Sequence, residues 1–137
     1  MMPPDAGARP GAIFKLARPL FWLYALALFA GTHWPRLEID LGVQRSDLWI
    51  HFAAFGGWCV LATACGFFGS PLSARNLHAT QLLSLVYAAI DEASQALPFV
   101  HRIAGFDDYG ANAGGIVIAG VLLLVLSRRL SARPSAA

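Results

Sequence analysis

Polar residues that could act as acids, bases or ligand contacts lie within or beside long apolar stretches of this chain. An imidazole and a carboxylate can transfer protons as general base and general acid, and His51 and Glu92 are the candidates for these roles. A guanidinium binds a carboxylate or phosphate through two parallel hydrogen bonds, so Arg102 is the candidate for holding an anionic ligand group. The residues expected to orient these groups and to contact a ligand are Gln95, Asp108 and Asn112.

The composition indicates a membrane protein. Of the 137 residues, 57% are hydrophobic and only 13% are charged. Few soluble domains of this length have that balance, and the apolar residues are concentrated in long blocks, as in membrane spans. No basic stripe interleaved with aromatic residues suggests nucleic acid. The expected partner is therefore the lipid bilayer. No cofactor is expected, because a metal site of His51, Glu92 and Asp108 is conceivable but no His-rich or Cys-rich spacing supports it.

Four apolar segments are predicted to cross the membrane as an all-α bundle. Each approaches the ~20 residues that span ~30 Å of hydrocarbon. The predicted spans are residues 13–34, 48–68, 79–97 and 108–126. They form one domain, 13–129, between tails at 1–12 and 130–137 that are predicted to be disordered.

Two of these spans have alternatives. The first resembles a cleaved signal peptide, with a basic start and a short apolar core, but bulky Leu28 would lie three residues before a cut after Ala30. We therefore favour a retained span. The third contains Asp91 and Glu92, and one central acid costs roughly 2.5–3.5 kcal/mol of insertion free energy. This helix either lies on the membrane surface or buries its polar face against the other spans, which we favour.

Basic residues predict the orientation. Most of the 10 lysine and arginine residues fall on one side of the predicted spans, and Arg36, Arg45 and Arg102 fall on the other. The positive-inside rule then places both termini in the cytoplasm. With that topology all the candidate polar residues lie towards the outer leaflet. Ionisable groups inside a membrane are costly unless paired, so this convergence is a functional-site hypothesis.

The motifs that carry these residues resemble a known family. They read "DLWIHFAAF", "DEASQALPFVHR" and "DDYGANAGG", and together they are similar to the VanZ-like family of small bacterial membrane proteins. The positions that match the family pattern are His51, Phe55, Glu92, Gln95, Arg102, Asp108, Asn112 and Gly115. Phe55 stands where tyrosine is common, and the usual Pro-Gly-Arg is loosened to "PFVHR".

The resemblance implies a location and a site rather than a reaction. It implies a multi-pass protein of the bacterial inner membrane, in a family named for a link to low-level resistance to the glycopeptide teicoplanin. The leading hypothesis is that the protein binds or processes an amphiphilic envelope molecule, such as a lipid-linked or glycopeptide-type compound. The sequence leaves open whether any reaction is catalysed and what the oligomeric state is.

Each candidate also has a structural interpretation. Glu92 and Arg102 would form a buried ion pair that fixes helix register, and Asp108 would cap a helix N-terminus, as Asp107 would. A non-catalytic scaffold or partner subunit is therefore the alternative function. A proton or ion path is weaker, because the inner halves of the spans lack a continuing relay. No Ser-His-Asp arrangement stands out, and Ser94 has no mark of a nucleophile.

Overall fold

The described part of the chain is all-α. The computed structural model describes residues 12–34, 39–98, 100 and 105–132, with the side chains of residues 12–15 excepted. It contains four helices: α1 (Ala12–His33), α2 (Ser46–Ala64), α3 (Ala74–Gln95) and α4 (Phe106–Ser131). Two of them, α2 and α4, are long and apolar enough to cross a membrane. The predicted all-α class is confirmed. Most of the predicted tails, together with Arg102, lies outside the described residues.

The most extensive contact between helices is that of α2 with α4. Gly56 and Gly115 lie at its centre, and a Cβ on Gly56 would lie 3.2 Å from the carbonyl oxygen of Gly115. A Cβ on Gly115 would overlap the carbonyl oxygen of Phe52. Small residues allow helix backbones to approach this closely, which brings the polar residues at the start of α2 within reach of those at the start of α4.

An aromatic layer joins α1, α2 and α3. Trp58 of α2 stacks on Tyr87 of α3 with ring centroids 4.3 Å apart, and Phe21 of α1 lies 4.6 Å from the Trp58 ring. The hydroxyl of Tyr24 donates a 2.7 Å hydrogen bond to the main-chain oxygen of Ala54. These contacts fix α1 against α2 on the side away from α4.

At the turn between α2 and α3, the end of α2 and the start of α3 differ from the ends of the predicted spans. α2 ends at Ala64, and Gly66 and Gly69 follow with positive φ values of 62° and 151°. α3 begins at Ala74, where the Ser73 side chain accepts a hydrogen bond from the Asn76 amide. The buried Asn76 side chain then donates to the main-chain oxygens of Thr63 and Pro71. Because a capping serine starts α3 early, this helix is longer than the apolar pattern alone predicts.

Many large apolar side chains of the bundle are exposed, and many polar side chains are buried. Large exposed side chains include Leu16, Trp22, Leu23, Leu26, Leu82, Val86, Leu122 and Val125. Side chains that are fully buried include Asn76, Thr80, Ser84, Gln95 and Asn112. The buried face of α3 is thus polar along most of its length, although the groups in its first half are neutral. The sequence predicts that the inner halves of the spans lack a continuing polar relay, whereas Asn76, Thr80 and Ser84 place buried hydrogen-bonding groups along the first half of α3.

Candidate functional site

His51 and Asn112 form the centre of the candidate site. His51 lies one turn into α2 and Asn112 lies two turns into α4, and the close packing of these helices brings the two side chains together. The Nδ1 atom of His51 is 3.0 Å from Oδ1 of Asn112, and both residues are buried. Since an amide oxygen only accepts, His51 carries its hydrogen on Nδ1 in this contact. Nδ2 of Asn112 is buried and has no hydrogen-bond partner among the described residues.

Glu92 lies beside this pair, on α3. Its Oε1 atom accepts a 2.6 Å hydrogen bond from the Gly105 amide, which ties α3 to the residue preceding α4. Its Oε2 atom is buried without a partner among the residues described. His51 and Asp108 both lie within electrostatic range of the Glu92 side chain. The predicted convergence of His51, Glu92, Asp108 and Asn112 is therefore observed, whereas the proposed partner Arg102 falls in the undescribed segment 101–104.

The two aspartates that open α4 differ in role. Both carboxylates turn back towards Gly105, at whose position a Cβ would lie 2.9 Å from Asp107 Oδ1 and 3.1 Å from Asp108 Oδ2. This position suits carboxylates that complement a helix N-terminus. Asp107 is exposed and forms an ion pair with Arg45, which raises the pKa of that guanidinium. Asp108 is half-buried and faces the Glu92 side of the cluster.

Gln95 belongs to a different hydrogen-bonded group from the one predicted. The sequence places it beside Glu92, but its Nε2 atom donates to Oδ2 of Asp91 at 3.2 Å. Asp91 also accepts a 3.1 Å hydrogen bond from the hydroxyl of Thr32, on α1. Asp91 therefore faces α1. We call this second group, at the ends of α1 and α3, the α1–α3 cluster; it comprises Thr32, His33, Asp91, Ser94 and Gln95.

A large open cavity lies between α1 and α2. Its volume is about 900 Å³. The wall is mainly apolar and includes Ala27, Leu28, Ile50, Ala54 and Phe55, and the mouth carries Asp40, Arg45, Ser46 and Asp47. His51 and Thr32 both line it, so the cavity touches the His51–Asn112 pair and the α1–α3 cluster.

No family model, curated protein or solved structure matches this chain. The VanZ-like resemblance therefore stays a prediction carried by the motifs themselves.

Thr32 and His33 are the site residues that sequence reasoning missed. They end the first predicted span, so the same topology that gathered the other polar residues also places them in the outer layer. A Thr-His pair at a helix end carries no sequence signal that distinguishes a site from simple hydration. Only the packing of α1 against α3 reveals that Thr32 contacts a buried acid.

Proposed function

We propose that this chain is a multi-pass protein of the bacterial inner membrane whose cavity binds an amphiphilic molecule of the cell envelope. The cavity itself carries the proposal. Its volume of about 900 Å³ is in the range of small-molecule sites, which combine apolar walls with a few polar groups. An apolar chain fits the wall beside Ala27 and Leu28, while a polar headgroup fits the mouth beside Asp40 and Asp47.

Four membrane-spanning helices, with both termini cytoplasmic, are part of the proposal. α1 and α3 contain 22 residues each, a length of about 33 Å that matches the ~30 Å hydrocarbon core. The two acidic side chains of α3 oppose its insertion into the membrane when the helix is considered alone. Asp91 and Glu92 are 2% and 6% exposed, so both acids face protein rather than lipid. This burial supports insertion of α3 within the bundle.

Filling the cavity is expected to abolish retention of the ligand. In an Ala27→Trp variant the indole would occupy the space beside Leu28, because Ala27 lines the cavity. We expect the wild-type protein, purified in mild detergent, to carry a bound amphiphile that native mass spectrometry detects. The Ala27→Trp variant should lose most of it, because a loss of ~1.4 kcal/mol of binding free energy weakens the affinity tenfold and lowers the occupancy by up to about nine-tenths.

Ala30→Trp is the matched control. Ala30 is exposed on the same helix and is not part of the cavity wall, so an indole there should leave the bound amphiphile in place. Equal retention by both variants would contradict the assignment of the cavity as the binding site.

Arg102 provides a separate test based on the family resemblance. Its guanidinium would bind an anionic headgroup bidentately, which lysine cannot reproduce. We expect Arg102→Lys to lower amphiphile retention while the protein stays folded, as judged by thermal unfolding in detergent. Arg75→Lys, at an exposed position in the first turn of α3, is the control. If Arg102→Lys retains the amphiphile fully, the guanidinium does not bind the headgroup, and the cavity alone remains as the proposed binding site.

A non-catalytic scaffold is the second candidate function. The observation that favours it is that the polar contacts join different elements: His51 to Asn112 joins α2 to α4, and Glu92 to Gly105 joins α3 to the start of α4. Such contacts fix helix register whether or not a ligand binds. The two functions differ in whether ligand retention depends on the polar groups themselves or only on the stability that they provide.

A further inference from the structure

The α1–α3 cluster contains a serine, a histidine and an acid in hydrogen-bonded sequence. The Oγ atom of Ser94 lies 2.8 Å from Nε2 of His33. Nδ1 of the same ring lies 3.0 Å from the Thr32 hydroxyl, which donates to Oδ1 of Asp91 at 3.1 Å. The direct distance from His33 Nδ1 to Asp91 Oδ1 is 3.8 Å, and the threonine hydroxyl, which also lies 3.2 Å from the main-chain oxygen of Phe29, stands between the histidine and the acid.

The surroundings of His33 favour one tautomer. Its Nδ1 atom is 3.0 Å from the main-chain oxygen of Phe29, and a carbonyl oxygen only accepts hydrogen bonds. Nδ1 therefore carries the hydrogen, and in the neutral ring Nε2 is left as an acceptor facing the Ser94 hydroxyl. A base held in this tautomer and aimed at a hydroxyl is the arrangement that activates a serine nucleophile.

From this geometry we infer that Ser94 is a nucleophile and His33 its general base, in a site for acyl transfer from a carboxylic ester. Ser94 Oγ would bond to the ester carbonyl carbon while its proton passes to His33 Nε2. The ester C–O bond would then break, and the leaving alkoxide would take that proton from His33. Water, activated by the same imidazole, would cleave the acyl-serine, releasing the carboxylic acid and restoring the hydroxyl.

The serine hydroxyl has a competing acceptor. It lies 2.7 Å from the main-chain oxygen of Asp91, one turn earlier on α3. The hydroxyl hydrogen therefore has two positions, and only the one directed at His33 prepares the attack. Rotation about a single side-chain bond interconverts them, so this competition lowers the fraction of prepared serine without blocking it.

The position of the cluster suits an amphiphilic ester. Ser94 is half-buried, and 13% of the His33 side-chain surface is exposed. Phe29 stacks on the His33 ring with centroids 4.1 Å apart, and the exposed fractions of Phe29 and Leu97 are 51% and 44%. Phe29 on α1, through its contact with His33, and Leu97 just after α3, whose amide donates to the Ser94 main-chain oxygen, provide apolar surface near the serine for the acyl chain of an ester. The inference does not depend on the cavity, whose described lining includes neither Ser94 nor His33.

An alkyl fluorophosphonate tests the assignment on the full-length protein in detergent. Attack by Ser94 forms an Oγ–P bond and breaks P–F; fluoride leaves and the hydroxyl proton goes to His33. We expect the adduct on Ser94, located by peptide mass spectrometry, and none on exposed Ser70 of the same chain. Because both serines are in one molecule, this comparison needs no variant. An unlabelled Ser94, or equal labelling of Ser70, overturns the inference.

Variants then assign the other roles. Ser94→Ala should abolish labelling, and Ser70→Ala should leave it unchanged. His33→Gln should slow labelling by about 10²-fold or more, the usual contribution of a general base. Thr32 is a positioning residue, so Thr32→Val should slow labelling and Thr32→Ser should restore it. An unchanged rate in a folded His33→Gln variant would show that the imidazole does not activate Ser94.

Discussion

Replacing Gly115 with alanine is expected to lower the free energy of unfolding more than the same substitution at any other glycine of α4. The new Cβ would overlap the main-chain oxygen of Phe52, and a backbone oxygen cannot rotate away as a flexible side chain can. α2 and α4 would have to separate along their closest contact. Overpacking of this kind costs about 1–3 kcal/mol and occasionally more, and we expect Gly115→Ala to reach at least the upper end of that range.

Two neighbouring glycines are matched controls on the same helix. A Cβ on Gly110 would meet nothing within 4 Å, and a Cβ on Gly114 would make an ordinary 3.5 Å contact with the Phe52 ring. Replacing glycine with alanine at unobstructed helical positions usually stabilises by roughly 0.5–1 kcal/mol. Gly110→Ala and Gly114→Ala should therefore unfold no earlier than the wild-type protein.

The two cysteines provide the measurement. Cys59 and Cys65 are both free and buried, so a thiol-reactive fluorescent dye reports unfolding of the detergent-solubilised protein on heating. The Gly115→Ala variant should expose these thiols at a clearly lower temperature than either control. Coincident transitions for all three variants would mean that α2 and α4 do not pack as described.

Much of the fold follows from patterns that the sequence displays. Long apolar segments predict four helices, and four helices are observed in the described residues. The helix ends were less predictable, because they depend on local devices such as the Ser73 cap and the turn containing Gly66 and Gly69. A hydropathy pattern does not register a side-chain cap, so α3 begins before its most apolar part.

The candidate site was predictable in part of its membership but not in its connectivity. Helical spacing placed Glu92 and Gln95 on one face, and a shared depth placed them with His51, Asp108 and Asn112. The spacing gives no information on which neighbour each side chain contacts. A difference of a fraction of a turn about the α3 axis determines that Gln95 hydrogen-bonds to Asp91 rather than to Glu92. The contribution of α1 was missed for the same reason, since neither Thr32 nor His33 shows from sequence that it faces α3.

Replacing Asn112 with leucine is expected to destabilise the bundle by about 1–3 kcal/mol, the usual cost of leaving a buried polar group without its partner. Asn112 is fully buried and accepts the hydrogen bond of His51 Nδ1. Leucine has a similar size, so the main loss is this acceptor rather than packing volume. Thermal unfolding followed with the thiol-reactive dye measures the effect.

The double variant His51→Phe/Asn112→Leu separates a pair interaction from a general loss of packing. Each single change leaves one buried polar group unpaired, whereas the double change removes both groups together. The double variant should therefore be less destabilised than the sum of the single variants, with a coupling free energy of about 0.5–3 kcal/mol. Additive effects would show that the 3.0 Å contact between His51 and Asn112 contributes nothing of its own.

The same double variant distinguishes the two functions proposed for the cluster. If the polar groups are only a scaffold, amphiphile retention should follow stability and return in the double variant together with the unfolding temperature. If His51 contacts the ligand from the cavity that it lines, retention should stay low although stability recovers, because phenylalanine supplies no hydrogen bond to a headgroup. Native mass spectrometry at a temperature where every variant is folded gives the answer. Recovered stability with lost ligand assigns the cluster to binding, and joint recovery assigns it to the architecture of the bundle.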